Sequence, residues 1–182
     1  MPKKNLIVIL GPTAIGKTET SILIAKHFDA EILSADSRQF YKGLEIGTAS
    51  PENKYLSAVK HHFIGTLDIK FKYDVFEYEK DVLKTLDELF ITKDNAVLTG
   101  GSGLYINAVC NGIDELPDAD PEIRKELNMQ LAENGVESLR MQLKKLDPDF
   151  YQIVDISNPV RMMRAIEVCI ITGIPFSKLR NQ

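Results

Sequence analysis

The 182-residue chain has no tryptophan, only two cysteines and only three histidines. Cys110 and Cys169 show no redox or metal-ligand spacing, so they read as reduced thiols rather than as a disulfide framework. His61 and His62 have no third ligand at a matching spacing, which favours a structural or substrate-shaping role over zinc. No stretch approaches the roughly 18 to 20 apolar residues that a membrane span needs. The start Met1-Pro2-Lys3-Lys4 followed by Leu6 to Leu10 mimics a leader, but that apolar run is too short and opens directly into a turn. A cytoplasmic protein without a membrane partner is the expectation. Neither sign of charge dominates: 22 basic residues face 26 acidic ones, a net charge of −4 that argues mildly against a nucleic-acid partner. The distribution softens this, because residues 156–182 carry Arg161, Arg164, Lys178 and Arg180 against Glu167 alone. There is no internal repeat and no low-complexity segment. An apolar content of 44% and a charged content of 26% are those of an ordinary globular protein, long enough for one α/β core with a small appendage.

What is present begins at residue 11. Gly11-Pro12-Thr13-Ala14-Ile15-Gly16-Lys17-Thr18 is a complete G-x-x-x-x-G-K-T phosphate loop, placed between the β-branched run Leu6–Leu10 and a stretch from Lys17 to Phe28 that can continue as a helix. Diphosphate oxygens would meet unpaired N–H groups and the positive end of the dipole at that helix N-terminus. The two glycines allow the tight path, Lys17 supplies a point charge, and the Thr18 hydroxyl can complete a Mg²⁺ shell. Such a loop says what is held and not what is done to it.

Residues 31–35 and 95–99 read as further strands, and 75–90 reads as a helix with Val75, Tyr78, Val82, Leu83, Leu86 and Phe90 at helical spacing. This alternation predicts a parallel sheet with ligands at the carboxyl ends of its strands, a P-loop NTPase-like α/β core over 1–112. After Gly112 the character changes. Leu116-Pro117-Asp118-Ala119-Asp120-Pro121 is a breaker-rich joint, with Asp120 as a helix N-cap and Pro121 at the first helical position. Helical periodicity then covers about 122–134, 136–146 and 159–172, with Gly173 as a stop, so 113–182 is expected to be a helical insertion. Asp36-Ser37-Arg38-Gln39 follows the second strand, and a right-handed crossover should open Asp36 onto the phosphate loop. That carboxylate has three readings: turn cap, water-mediated Mg²⁺ ligand, or proton acceptor for a nucleophile. Tyr105 and the aromatic residues between Phe71 and Tyr78 read as core.

The block Asp36-Ser37-Arg38-Gln39-Phe40-Tyr41-Lys42-Gly43-Leu44-Glu45-Ile46-Gly47-Thr48-Ala49, joined to the phosphate loop, resembles the tRNA dimethylallyltransferases, also called tRNA isopentenyltransferases. His61 to Ile64, Gly100 to Tyr105, Pro117 to Arg124, Asn158 to Glu167 and Thr172 to Pro175 agree with the same family. The resemblance implies a Mg²⁺-dependent transfer of a dimethylallyl group from dimethylallyl diphosphate to N6 of the adenosine 3′-adjacent to a tRNA anticodon. It implies that residues 11–18 hold the donor diphosphate and that Asp36, Lys17 and Thr18 carry the chemistry. It places contact with the anticodon stem-loop at Asp36, Ser37, Arg38, Gln39, Ser102, Arg124, Val160, Arg161, Met162, Met163 and Arg164, in a protein that is monomeric when intact. Each of these has a plainer reading: Ser102 as a helix cap, Arg124 as a solvent-facing charge, Arg161 and Arg164 as partners of Glu167. The family continues past the Thr-Gly-x-Pro segment, so the chain reads as C-terminally truncated, with activity in doubt. A small-metabolite or nucleoside kinase shares the loop but needs ATP and a cationic lid. The residues also leave open prenyl transfer to free adenine nucleotides and a catalytically silent RNA-binding remnant.

Overall fold

The structure is a computed structural model and describes residues 3–12, 15–44, 46–48, 50–114 and 116–180. It separates into two compact units, Met1–Ile113 and Asp114–Gln182.

The first unit is a four-stranded, all-parallel sheet. Its strands are β1 (Asn5–Leu10), β2 (Glu31–Ser34), β3 (His61–His62) and β4 (Asn95–Gly100), in the order β1-β4-β2-β3. The inner strands read as continuous apolar runs because both faces are covered. Leu33, Ala96 and Leu98 pack on one side against Tyr78, Val82, Leu86 and Leu89 of α3 (Val75–Thr92) and Ile106 and Val109 of α4 (Gly103–Asn111). Ile32 and Val97, offset by one residue, pack on the other side against Ile22 and Ala25 of α1 (Lys17–His27). A short α2 (Asn53–Leu56) precedes β3. The buried stripe of α3 is 78, 82, 86 and 89; Leu83, expected on that stripe, lies one residue around the helix and is 43% exposed. α3 starts at a capping box, with the Asp74 carboxylate accepting from the backbone N–H groups of Phe76 and Glu77, and Glu77 accepting from that of Asp74.

β1 and β2 are not neighbours. β4 lies between them, so the crossover from β1 skips one strand position, and the approach of their carboxyl ends runs through the end of β4. Gly100 makes that possible: a Cβ there would stand 2.2 Å from the Ala35 carbonyl oxygen and 2.4 Å from its carbon.

The second unit is helical. α5 (Pro121–Leu146) is broken at Gly135, whose φ of 71° no other residue adopts without strain, giving two helical halves. It is followed by α6 (Pro148–Ile153), α7 (Pro159–Thr172) and α8 (Phe176–Leu179). Leu127, Leu139, Leu143, Phe150, Met162, Met163, Ala165 and Ile166 form its core. α5, α6 and α7 each open on Asp or Asn followed by Pro. The side chains of Asp120, Asp147 and Asn158 accept the first free backbone N–H groups, and proline sits where no N–H is required. α7 closes at Gly173 in the left-handed region.

Candidate active site

The carboxyl ends of β2 and β4, the start of α1 and the segments after β2 enclose a cleft of about 180 Å³. Gly16, Lys17, Thr18, Ser34, Asp36, Gln39, Thr48, His61, Thr99 and Gly100 line it. Gly16 is the N-cap of α1 in the left-handed conformation and supplies no side-chain cap, so the first N–H groups of α1 face the cleft without a side-chain acceptor. Lys17 Nζ donates to the Pro12 carbonyl at 2.6 Å, which folds the ammonium across the loop. Ile15 is 65% exposed, and the loop positions Thr13 and Ala14 lie outside the described residues.

Asp36 also lines this cleft. One carboxylate oxygen accepts the Arg38 backbone N–H at 3.1 Å, so the residue does cap its own turn. The other oxygen, Oδ2, faces Gly101: a Cβ there would lie 3.9 Å from it and 4.0 Å from the Gly11 carbonyl oxygen. The β1 loop, the β2 end and the β4 end therefore converge at Gly101. Ser102 stands at the N-cap of α4 but makes no capping bond; its hydroxyl accepts the Ser37 backbone N–H at 3.1 Å and lies 3.4 Å from the Ser37 hydroxyl. The Ser102 N–H in turn donates to Ala35 O. Asp36, Ser37 and Ser102 thus form one patch at the cleft rim.

Within the 36–39 segment the side chains divide. Arg38 is exposed, whereas Gln39 turns inward, accepting from Ser34 Oγ at 3.0 Å and donating to Thr48 O at 3.3 Å. Gln39 forms part of the cleft wall, its amide facing the sheet end. His61 also lines the cleft; its Nδ1 bonds Val59 O at 2.8 Å, and burial lowers its pKa below 6.5. His62 pairs instead with Glu31 at 2.7 Å on the other face of the two-residue strand. Among the described residues no group of three or more His, Cys, Asp or Glu side chains is arranged to hold a metal.

In the helical unit, the sequence-based contact residues separate into buried and exposed sets. Met162 and Met163 are 0% and 6% exposed, in the core, because α7 presents that face to α5; their side chains are not a contact surface. Val160 is 62% exposed and Arg161 is also exposed. Arg164 does not share the outward direction of Arg161: it donates to Glu167 at 2.8 Å and to Pro117 O at 2.7 Å. Arg124 is not a free surface charge either, since Nε and Nη2 both reach Glu167 at 2.9 Å.

The IPP transferase family profile matches residues 39–182. A tRNA dimethylallyltransferase from Christiangramia forsetii is 52% identical over 177 residues, covering 97% of this chain and 59% of the relative. One from Flavobacterium johnsoniae is 48% identical, with 98% and 60% covered. The crystal structure of a tRNA isopentenylpyrophosphate transferase from Bacillus halodurans matches at a TM-score of 0.60 and 36% identity, over 95% of this chain and 57% of that one. The chain belongs to the IPP transferase family. A eukaryotic dimethylallyltransferase acting on tRNA, at a TM-score of 0.76 but 22% identity, adds likeness of fold only, over 97% of this chain and 44% of that one. The P-loop NTPase-like sheet is thus the family's fold, and the chain spans about three fifths of the length of the curated relatives it matches.

The IPP transferase cleft contains residues that sequence reasoning did not single out: Ser34, Thr48, Thr99 and Gly100. Ser34 and Thr99 stand at the ends of apolar strands, and a strand-end position was the available signal. Thr48 comes from the loop within the 36–49 block, and its carbonyl accepts from Gln39.

Proposed function

We infer that this chain carries the donor site of a tRNA dimethylallyltransferase, moving a dimethylallyl group from dimethylallyl diphosphate to N6 of the adenosine 3′-adjacent to a tRNA anticodon. The observation that carries this reading is one cleft lined by Lys17, Thr18 and Asp36 in a chain of this family. The diphosphate would lie on the α1 N-terminus, with Lys17 exchanging its Pro12 carbonyl for phosphate oxygen. As the allylic C–O bond breaks, charge grows on the leaving diphosphate, and Lys17 and the loop N–H groups stabilise it. The N6 lone pair forms the new C–N bond, and the N6 proton passes to Asp36, whose Oδ2 is the oxygen not used in capping.

The donor set suits Mg²⁺: the Thr18 hydroxyl lines the cleft at the phosphate loop, and this ion binds through one or two protein oxygens plus phosphates and water rather than in an all-protein cage. When bound it neutralises diphosphate charge. The adenosine must leave its stack to reach the cleft. Ser37, Arg38 and Ser102 at the rim, with Val160, Arg161 and the half-exposed Arg124 and Arg164 in the helical unit, are the groups we assign to tRNA contact. The test is nucleoside analysis of tRNA incubated with the chain, dimethylallyl diphosphate and Mg²⁺. Prenylated adenosine next to the anticodon is expected, and to be absent with Asp36→Asn; prenyl transfer only to free adenine nucleotides would overturn the acceptor assignment.

A further inference from the structure

Glu167 is 0% exposed, and none of the donor-site chemistry uses it. Its carboxylate is surrounded: Oε1 accepts from the Asp120 N–H at 3.1 Å and Arg124 Nε at 2.9 Å, and Oε2 accepts from Arg124 Nη2 and Arg164 Nη1 at 2.9 and 2.8 Å. Arg164 Nη2 is held in addition by Pro117 O. Two guanidiniums that would repel each other are therefore fixed around one carboxylate. Their side chains remain 36% and 29% exposed, and Arg124 Nη1 lies outside the fork. The cluster keeps one net positive charge, and Arg161, exposed and one helical turn before Arg164, adds another. A rigid guanidinium fork is the geometry that recognises phosphate, and phosphate contacts set position on a nucleic acid.

We propose that Glu167 is a positioning residue for RNA: from the buried side it holds the Arg124 and Arg164 guanidiniums so that their outer edges receive phosphodiester oxygens of the acceptor RNA. The proposal rests on tRNA being the acceptor. Its electrostatic signature is distinctive in sign. Removing a negative charge from a surface that only attracts RNA should strengthen binding. Removing a residue that orients the cations should weaken it.

The test is equilibrium binding of an anticodon stem-loop RNA to the full chain over a salt series, for the wild type, Glu167→Gln, Arg124→Gln and the double variant, with thermal unfolding to establish that each is folded. Glu167→Gln is expected to bind roughly tenfold more weakly, with a log-log salt slope smaller by about one phosphate contact. In the Arg124→Gln background the same change should cost less than in the wild type, because only the share that acts through Arg164 remains. Equal or tighter binding by folded Glu167→Gln, at an unchanged slope, would overturn the positioning role while leaving tRNA as the acceptor. Should Glu167→Gln fail to fold, Arg124→Lys decides: it keeps the charge but loses the fork, so weaker binding is expected and wild-type binding overturns the proposal. Wild-type chain without salt-dependent RNA binding would instead overturn the acceptor assignment on which the proposal depends.

Discussion

Asp36 and Lys17 line one cleft, and the proposed reaction gives them separable duties. Asp36→Ala should lower prenyl transfer by about 10² to 10⁴ while leaving diphosphate affinity nearly intact, and Lys17→Ala should weaken both. Turnover and calorimetric affinity measured on the same preparations distinguish them, and loss of affinity with unchanged turnover per bound donor in Asp36→Ala would refute the base assignment. Glu167 makes a second prediction. Its burial alone would raise its pKa, but the hydrogen bonds and charges of Arg124 and Arg164 outweigh that and hold it below 4.5. A carboxylate depressed on folding contributes stability above its unfolded pKa that is lost as pH falls through the folded value. Acid unfolding of the wild type should therefore steepen below about pH 4.5, and Glu167→Gln should remove that component. At this scale the placing of Gly16, Lys17, Thr18 and Asp36 on one cleft was legible from spacing. The Arg164–Glu167 pair, three residues apart, was among the readings, whereas the inward turn of Gln39 and the part of Arg124 in the clamp were not, because the first is a matter of rotamer and the second joins residues 43 positions apart.

The elements follow from local chemistry where that chemistry was recognised. Asp120-Pro121 and Asn158-Pro159 correctly announced α5 and α7. Asp147-Pro148 carries the same signal, yet periodicity alone passes over the short α6 that it opens. Asp147 is more than a cap: 1% exposed, it also accepts from the Ser177 N–H and hydroxyl at 2.6 and 2.7 Å, fastening α8. Asp147→Ala should cost about 3 kcal/mol by orphaning the Phe150 and Ser177 donors, measured by urea unfolding; a loss under about half of that would mean water replaces the carboxylate. The break at Gly135 was visible as the gap between two periodic stretches. Strand order was not readable. A sheet edge of two residues, His61–His62, carries too little pattern to register as a strand, and nothing in β1 or β2 reveals that β4 separates them. Gly100 records that insertion physically. Gly100→Ala should destabilise by at least about 2 kcal/mol, since the added methyl meets backbone at Ala35 and not a side chain that can yield.

For the whole molecule, mild net negative charge spread over two units pointed away from nucleic acid, and the proposed RNA contact rests instead on the local cationic set at 161–180 and on Arg124. No helix among the described residues is long and apolar enough to cross a membrane. The first unit contains, within itself, the groups assigned to holding the donor, Lys17, Thr18 and the start of α1, together with the proposed base Asp36. Donor binding is therefore the property to measure on this chain, which spans about three fifths of its curated relatives. Calorimetric titration with dimethylallyl diphosphate and with ATP, each with Mg²⁺, tests that claim most directly. The account predicts saturable binding of the prenyl donor, weakened by Lys17→Ala, and clearly weaker binding of ATP; preference for ATP would contradict it and assign the cleft to a kinase.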